Sequence, residues 1–245
     1  MTNVSQTKIS PFLLIFSSIA FAILIGLGTW QWNRMIWKEA LINTIQTRIV
    51  EAPVPLNAII GMADSGADFE YRPVKLTGKL MNDREQYVLA TRDGQSGWHV
   101  YTPVEIANQQ VLFVNRGFVP YDQRDPALRQ DGQMNQMVNI EGLARPALTQ
   151  KPGWVVPDNA PEKHEFYWKD LSAMIAAAGL EDRTVLPFFV DKTSKLPDGL
   201  LPIAGVTRID LPNNHLQYLV TWYGLALALV GVLLAYVIKS RRKAS

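Results

Sequence analysis

Two uninterrupted apolar runs bracket a chain whose middle alternates between apolar and polar positions. From Pro11 to Trp30 the sequence PFLLIFSSIAFAILIGLGTW contains no charged residue, and LVTWYGLALALVGVLLAYVI, from Leu219 to Ile238, contains none either. About 20 such residues in a helix cover a hydrocarbon core of about 30 Å, so each run predicts a membrane-spanning helix. The first is placed at residues 11–33, with an outward extension to about residue 50, where Pro53 and Pro55 stop it; the second is placed at 212–238. A cleaved signal peptide is the alternative for the first run, since Lys8 precedes it and Gly26 and Gly28 are small. The length of the run, the missing Ala-x-Ala site and the helical pattern that follows favour a retained helix.

Residues 34–211 read differently. In YRPVKLTGKL, Val74, Leu76 and Leu80 fall on one side of a period-two pattern and Lys75, Thr77 and Lys79 on the other, as in a half-buried strand. QYVLAT, WHVYTPVEI, QQVLFVNRGFVP and LPFFVD also read as strands, as does MVNIEGLAR, where Val138 and Ile140 oppose Asn139 and Glu141. Turn-rich pieces such as Arg92-Asp93-Gly94, Ala107-Asn108 and Asp131-Gly132 separate them at spacings that suit an antiparallel sheet or barrel. DLSAMIAAAGL predicts a short helix capped by Asp170 and ended at Gly179. The fold class that follows is a membrane protein of α+β type, with two transmembrane helices flanking a β-rich, barrel-like external domain that holds one or two short helices.

Charge orients this arrangement. Lys239, Arg241, Arg242 and Lys243 follow the second apolar run at once, and basic residues beside membrane helices favour the cytoplasmic side. The tails 1–10 and 239–245 are then cytoplasmic and the middle external. Lys8 set against Arg34 and Lys38 argues weakly for the opposite orientation. With only MTNVSQTKIS ahead of the first run, an Arg-rich transit peptide is not expected, and a bacterial inner membrane with a periplasmic domain is the simpler location.

Composition narrows the chemistry. The 245 residues carry a formal charge of +2, no cysteine and three histidines. The mean hydropathy of +0.01 is too low for a polytopic bundle. Lack of cysteine removes disulfides, thiolate metal sites, cysteine nucleophiles and covalent c-type haem attachment together. The basic cluster is a topology signal, so no nucleic-acid partner is expected. No phosphate loop, HExxH, Gly-x-Ser-x-Gly or spaced carboxylate pair appears, so no catalytic residue is assigned and an enzyme is not expected. His99 and His164 read as packing or surface histidines. In Asn115-Arg116-Gly117, placed at a strand end, glycine supplies an unusual backbone angle and arginine a structural ion pair.

The residues of most interest sit where both helices leave the bilayer. Trp30, Arg34 and Trp37 share a face of the first helix, with Gln31 beside it and Lys38 one turn beyond Arg34. His215, Tyr218 and Trp222 share a face of the second, and both sets lie at the same outer leaflet. An aromatic belt with snorkelling cations explains most of this without any function. His215 is harder to dismiss, because ionisable groups at a membrane helix edge usually face protein or a cofactor. Neutral imidazole is a common axial ligand of haem iron, and aromatic rings with a cation suit a flat, apolar molecule bearing two carboxylates. On spacing alone the belt is still the stronger explanation.

LGTWQWNRMIWKEALI, YRPVKLTGKL, GWHVYTPVE, VLFVNRGFVP and NNHLQYLVTWYGLALA, in that order and over nearly the whole chain, resemble the Surfeit locus family of cytochrome c oxidase assembly factors. Phe118 and Leu80 stand where that family often has aromatic residues, Trp in the first case. The resemblance implies two membrane helices around an external domain, and a role in the biogenesis of oxidase subunit I. It further implies that haem a is bound and passed to the nascent subunit, with His215 as the iron ligand and the haem a synthase as a second partner. Tyr218, Trp222 and Trp30 are then expected to pack on the macrocycle or its tail near Gln31, and Arg34 or Lys38 to meet the propionates. A membrane scaffold that binds no haem and stabilises subunit I or the synthase is the alternative.

Overall fold

A computed structural model describes residues 10–133, 136–197, 199–207 and 211–242. Lys8 and Lys243, used above for topology, lie outside the described residues. The elements run α1 (Pro11–Arg48), β1 (Val54–Pro55), α2 (Leu56–Ser65), β2 (Pro73–Leu80), β3 (Gln86–Arg92), β4 (Gln95–Glu105), β5 (Val111–Pro120), β6 (Met137–Pro146), β7 (Glu165–Phe166), α3 (Leu171–Ala177), β8 (Val185–Lys192) and α4 (His215–Arg242). They divide into two units, one of residues 1–44 and 209–245, the other of residues 45–208.

In the second unit five strands close on themselves in the order β2, β6, β8, β5, β4 and back to β2, where Leu80 pairs with Val104 and Lys79 with Glu105. The barrel expected from the alternating segments is present, and closure removes the exposed edges of an open sheet. Its pairs are antiparallel except β5 with β8, which run parallel because β6, β7 and α3 intervene. β3 folds back on β4 as a hairpin through Asp93 (φ 51°) and Gly94 (φ 80°), a turn that needs positive φ at both central residues.

Alternation fixes which side chains enter the barrel. Val74, Leu76 and Leu80 of β2 and Val138 and Ile140 of β6 are buried, whereas Lys75, Thr77 and Lys79 face outward. Leu112 and Val114 of β5, Phe188 and Val190 of β8 and Ile59 of α2 also belong to this core. Each such side chain contributes roughly 1.5–3 kcal/mol when fully buried. β5 departs from simple alternation: Val111 and Phe113, on its other side, pack with Phe189 and with Met174, Ala178 and Leu180 from α3 and its C-terminal turn. Asp170 caps α3 by accepting from the Ala173 N–H at 3.1 Å, and Gly179 (φ 61°) follows its end.

Asn115-Arg116-Gly117 lies inside β5, not at its end, opposite an irregularity in β4 between Val100 and Tyr101. The strand continues past it because Gly117 takes φ 132°, and a Cβ there would fall 2.1 Å from the Ile203 carbonyl oxygen. Arg116 donates to Glu85 Oε1 at 2.9 Å, Asn82 Oδ1 at 3.0 Å, Gln133 Oε1 at 3.1 Å and the Gly132 carbonyl at 2.5 Å. Arg129 donates to both oxygens of the same carboxylate, and Tyr87 donates to Glu85 Oε2 at 3.0 Å. Burial pulls the Arg116 guanidinium below its ordinary pKa, and Glu85 opposes that shift.

Of the two domain histidines one is packed and the other is at the surface. His99 in β4 meets the Phe118 ring edge-on at 6.5 Å, and burial lowers its pKa. His164 adopts a left-handed conformation (φ 58°) and places Nδ1 3.2 Å from Gln86 Oε1.

Candidate functional site

The first unit contains two helices long and apolar enough to cross a membrane, α1 and α4. Their apolar stretches are only 11% and 6% buried, so the contact between them is narrow. On α4 the less exposed positions His215, Leu219, Trp222, Ala226, Leu229 and Leu233 recur every three or four residues. On α1 Leu24, Gly28, Gln31, Met35 and Lys38 do the same. Such spacing gives a shallow helix crossing with one shared seam.

At Gly28 the helices come close: a Cβ would lie 2.6 Å from the Tyr223 ring. Thr29 Oγ1 lies 3.2 Å from the Tyr223 hydroxyl and also donates to the Ile25 carbonyl at 2.9 Å. One turn further along α1, Gln31 is 8% exposed and its Oε1 is 2.6 Å from His215 Nδ1. Trp30 meets the same imidazole edge-on, with ring centroids 6.5 Å apart at 88°. Lys38 donates from Nζ to the Pro212 carbonyl at 2.5 Å, tying α1 to the residues that lead into α4.

Trp30, Gln31 and His215 therefore form one cluster, with Lys38 at its flank. Arg34 does not join it, since its guanidinium stacks 3.9 Å over Trp37 on its own helix. Tyr218 is 52% exposed, at the edge of the seam. Trp222 is on the seam, and its indole N–H has no partner among the described residues; nor has Asn213 Oδ1, just before α4. Periodicity could not reveal the Thr29, Tyr223 and Pro212 contacts, because they depend on how two helices nearly two hundred residues apart are paired.

The chemistry of the cluster follows from its hydrogen bond. The facing atom of Gln31 is an oxygen, which can only accept, so this contact calls for the tautomer with the proton on Nδ1. In the neutral ring Nε2 then holds a lone pair, and it takes no partner among the described residues. A histidine that ligates a metal has this form, one nitrogen donating to an oxygen and the other bare.

Residues 18–227 match the SURF1 family as a whole-family pattern. The chain belongs to the SURF1 family. It is 39% identical over 235 residues to Surfeit locus protein 1 of Homo sapiens, covering 88% of this chain and 73% of the human protein. It is 38% identical to Surfeit locus protein 1 of Mus musculus, covering 89% and 72%. A SURF1-like protein of Drosophila melanogaster is 33% identical over 250 residues, covering 91% and 76%. The SURF1 match includes the Trp30 to Lys38 segment, the barrel and the start of α4 with His215 and Trp222.

Proposed function

We propose that this SURF1-family chain is an assembly factor for cytochrome c oxidase that takes up haem a at His215 and aids its delivery to nascent subunit I. The observation that carries the reading is the His215 imidazole, held through Nδ1 by Gln31 so that Nε2 has no partner among the described residues. When haem a is present, its iron supplies a Lewis-acidic centre for a neutral imidazole. Trp30 offers apolar ring surface edge-on to that imidazole, with Trp222 two turns further along the seam of α4 and Tyr218 exposed between them. Arg34 makes no hydrogen bond or ion pair among the described residues, so its N–H groups are available to a propionate. Lys38 is engaged by the Pro212 carbonyl and would have to exchange that contact to serve in the same way.

A single histidine at a lipid edge suits cargo that must leave again, and no bond in the cargo is broken, so the activity is that of a chaperone. Subunit I is the acceptor and the haem a synthase the donor in this scheme. The membrane is a bacterial inner membrane, with 34–211 in the periplasm and both ends cytoplasmic. Lys239, Arg241 and Arg242 in the last turn of α4 support that orientation.

The test is complementation. In cells that lack this chain, the wild type restores haem a per subunit I, and His215→Ala present at equal level leaves it several-fold lower. Full restoration by His215→Ala would favour the scaffold that binds no haem.

A further inference from the structure

We infer that Gln31 does not touch the cargo but is a positioning residue, which selects the His215 tautomer and moderates its strength as a ligand. This rests on the haem-ligand reading of His215.

Gln31 is nearly inaccessible while Trp30 and Trp32 beside it on α1 are 57% and 48% exposed, so the amide lies in the seam, with the Trp30 indole at its edge against His215. A buried amide among apolar helices must find a partner or lose its hydration for nothing. It finds one acceptor contact, Oε1 to His215 Nδ1, at a distance short for a neutral pair. Three residues of one stretch of α1 thus constrain one imidazole. Trp30 meets the ring edge-on, Gln31 faces the nitrogen that is to bear the proton, and Lys38 holds the backbone before α4 through Pro212.

The choice of an amide matters as much as the contact. Metal-bound histidines commonly donate to carboxylates or backbone carbonyls, and a carboxylate draws the Nδ1 proton more strongly, which raises the basicity of Nε2. Gln31 is neutral, so it sets the tautomer and leaves the ring a weaker donor. That combination fits a ligand that must give up its iron.

The experiment uses the full chain in nanodiscs, labelled with 15N-histidine. With His99, His164 and His215 the only histidines, His215→Ala assigns the third ring. Cargo-free wild type is expected to show His215 protonated at Nδ1. Gln31→Leu is expected to shift it to the Nε2–H form, and Gln31→Glu to keep the Nδ1 proton. After coexpression with haem a synthesis, Gln31→Leu should retain roughly tenfold less haem. Gln31→Glu should retain more than wild type and deliver less to subunit I.

An Nε2–H signal in the wild type overturns the inference, as does a Gln31→Glu variant that behaves like Gln31→Leu. The wild-type spectrum decides even if Gln31→Leu fails to accumulate. If the tautomers behave as stated while no variant carries haem, the haem-ligand reading of His215 fails and only the tautomer selection by Gln31 stands.

Discussion

Glu85 and Arg116 meet at 2.9 Å inside the β-barrel domain, with side chains 1% and 3% exposed. Arg129, 1% exposed, bonds the same carboxylate from another segment, so one anion holds two buried cations. Removing one partner of a buried pair leaves uncompensated charge and costs about 3–5 kcal/mol. Glu85→Ala should therefore lower the urea midpoint of the domain strongly. A double change of Arg116 and Arg129 to Met in the Glu85→Gln background should recover part of that loss.

His99 makes domain stability depend on pH. Burial lowers its pKa below the ordinary 6.5, with Asp191 opposing the shift and Lys169 and Arg92 adding to it. The folded-state pKa lies below the unfolded one, so the unfolded chain binds the proton first as pH falls. Stability from this residue is complete above about 6.5 and declines as pH drops through the folded value. Thermal unfolding followed between pH 8 and pH 5 should show the decline, and His99→Phe should reduce its slope.

The strands were readable because half-buried strands leave a period-two trace, as in Val74, Leu76 and Leu80. Barrel closure was not, since the pairing of Leu80 with Val104 is a matter of tertiary register. The charge cluster was hidden for the same reason. Arg116 looked like a structural cation, but Glu85 and Arg129 stand 44 residues apart in irregular segments with no pattern to link them. On the helices, spacing brought out Trp30, Gln31 and His215, and it put Arg34 on one face with Trp37 without placing it in their cluster. Its guanidinium is drawn to Trp37 three residues along, a contact within one helix that sequence spacing allows but does not rank against others.

Gly117→Ala should destabilise the barrel by on the order of 3 kcal/mol, because a Cβ would strike the Ile203 carbonyl at a φ that alanine resists. Gly94→Ala, at a turn with open space around the added carbon, should cost about 1 kcal/mol. A smaller loss at Gly117 than at Gly94, read from urea midpoints, would contradict the tight approach of β5 to that segment.

Orientation is open to reporter fusions. A reporter placed after Ser245 should behave as cytoplasmic, and one inserted near Gln95, before the exposed start of β4, as exported. The reverse pattern would undo the assignment of His215 and Trp30 to the outer leaflet.

The role proposed for His215 is to hold haem a. Its most direct test is the visible spectrum of the purified full chain made in cells with an active haem a pathway. Wild type should carry the absorption of a histidine-ligated haem a, and His215→Ala should lose most of it at equal protein concentration. Equal absorption in both proteins, or none in either, would contradict the account.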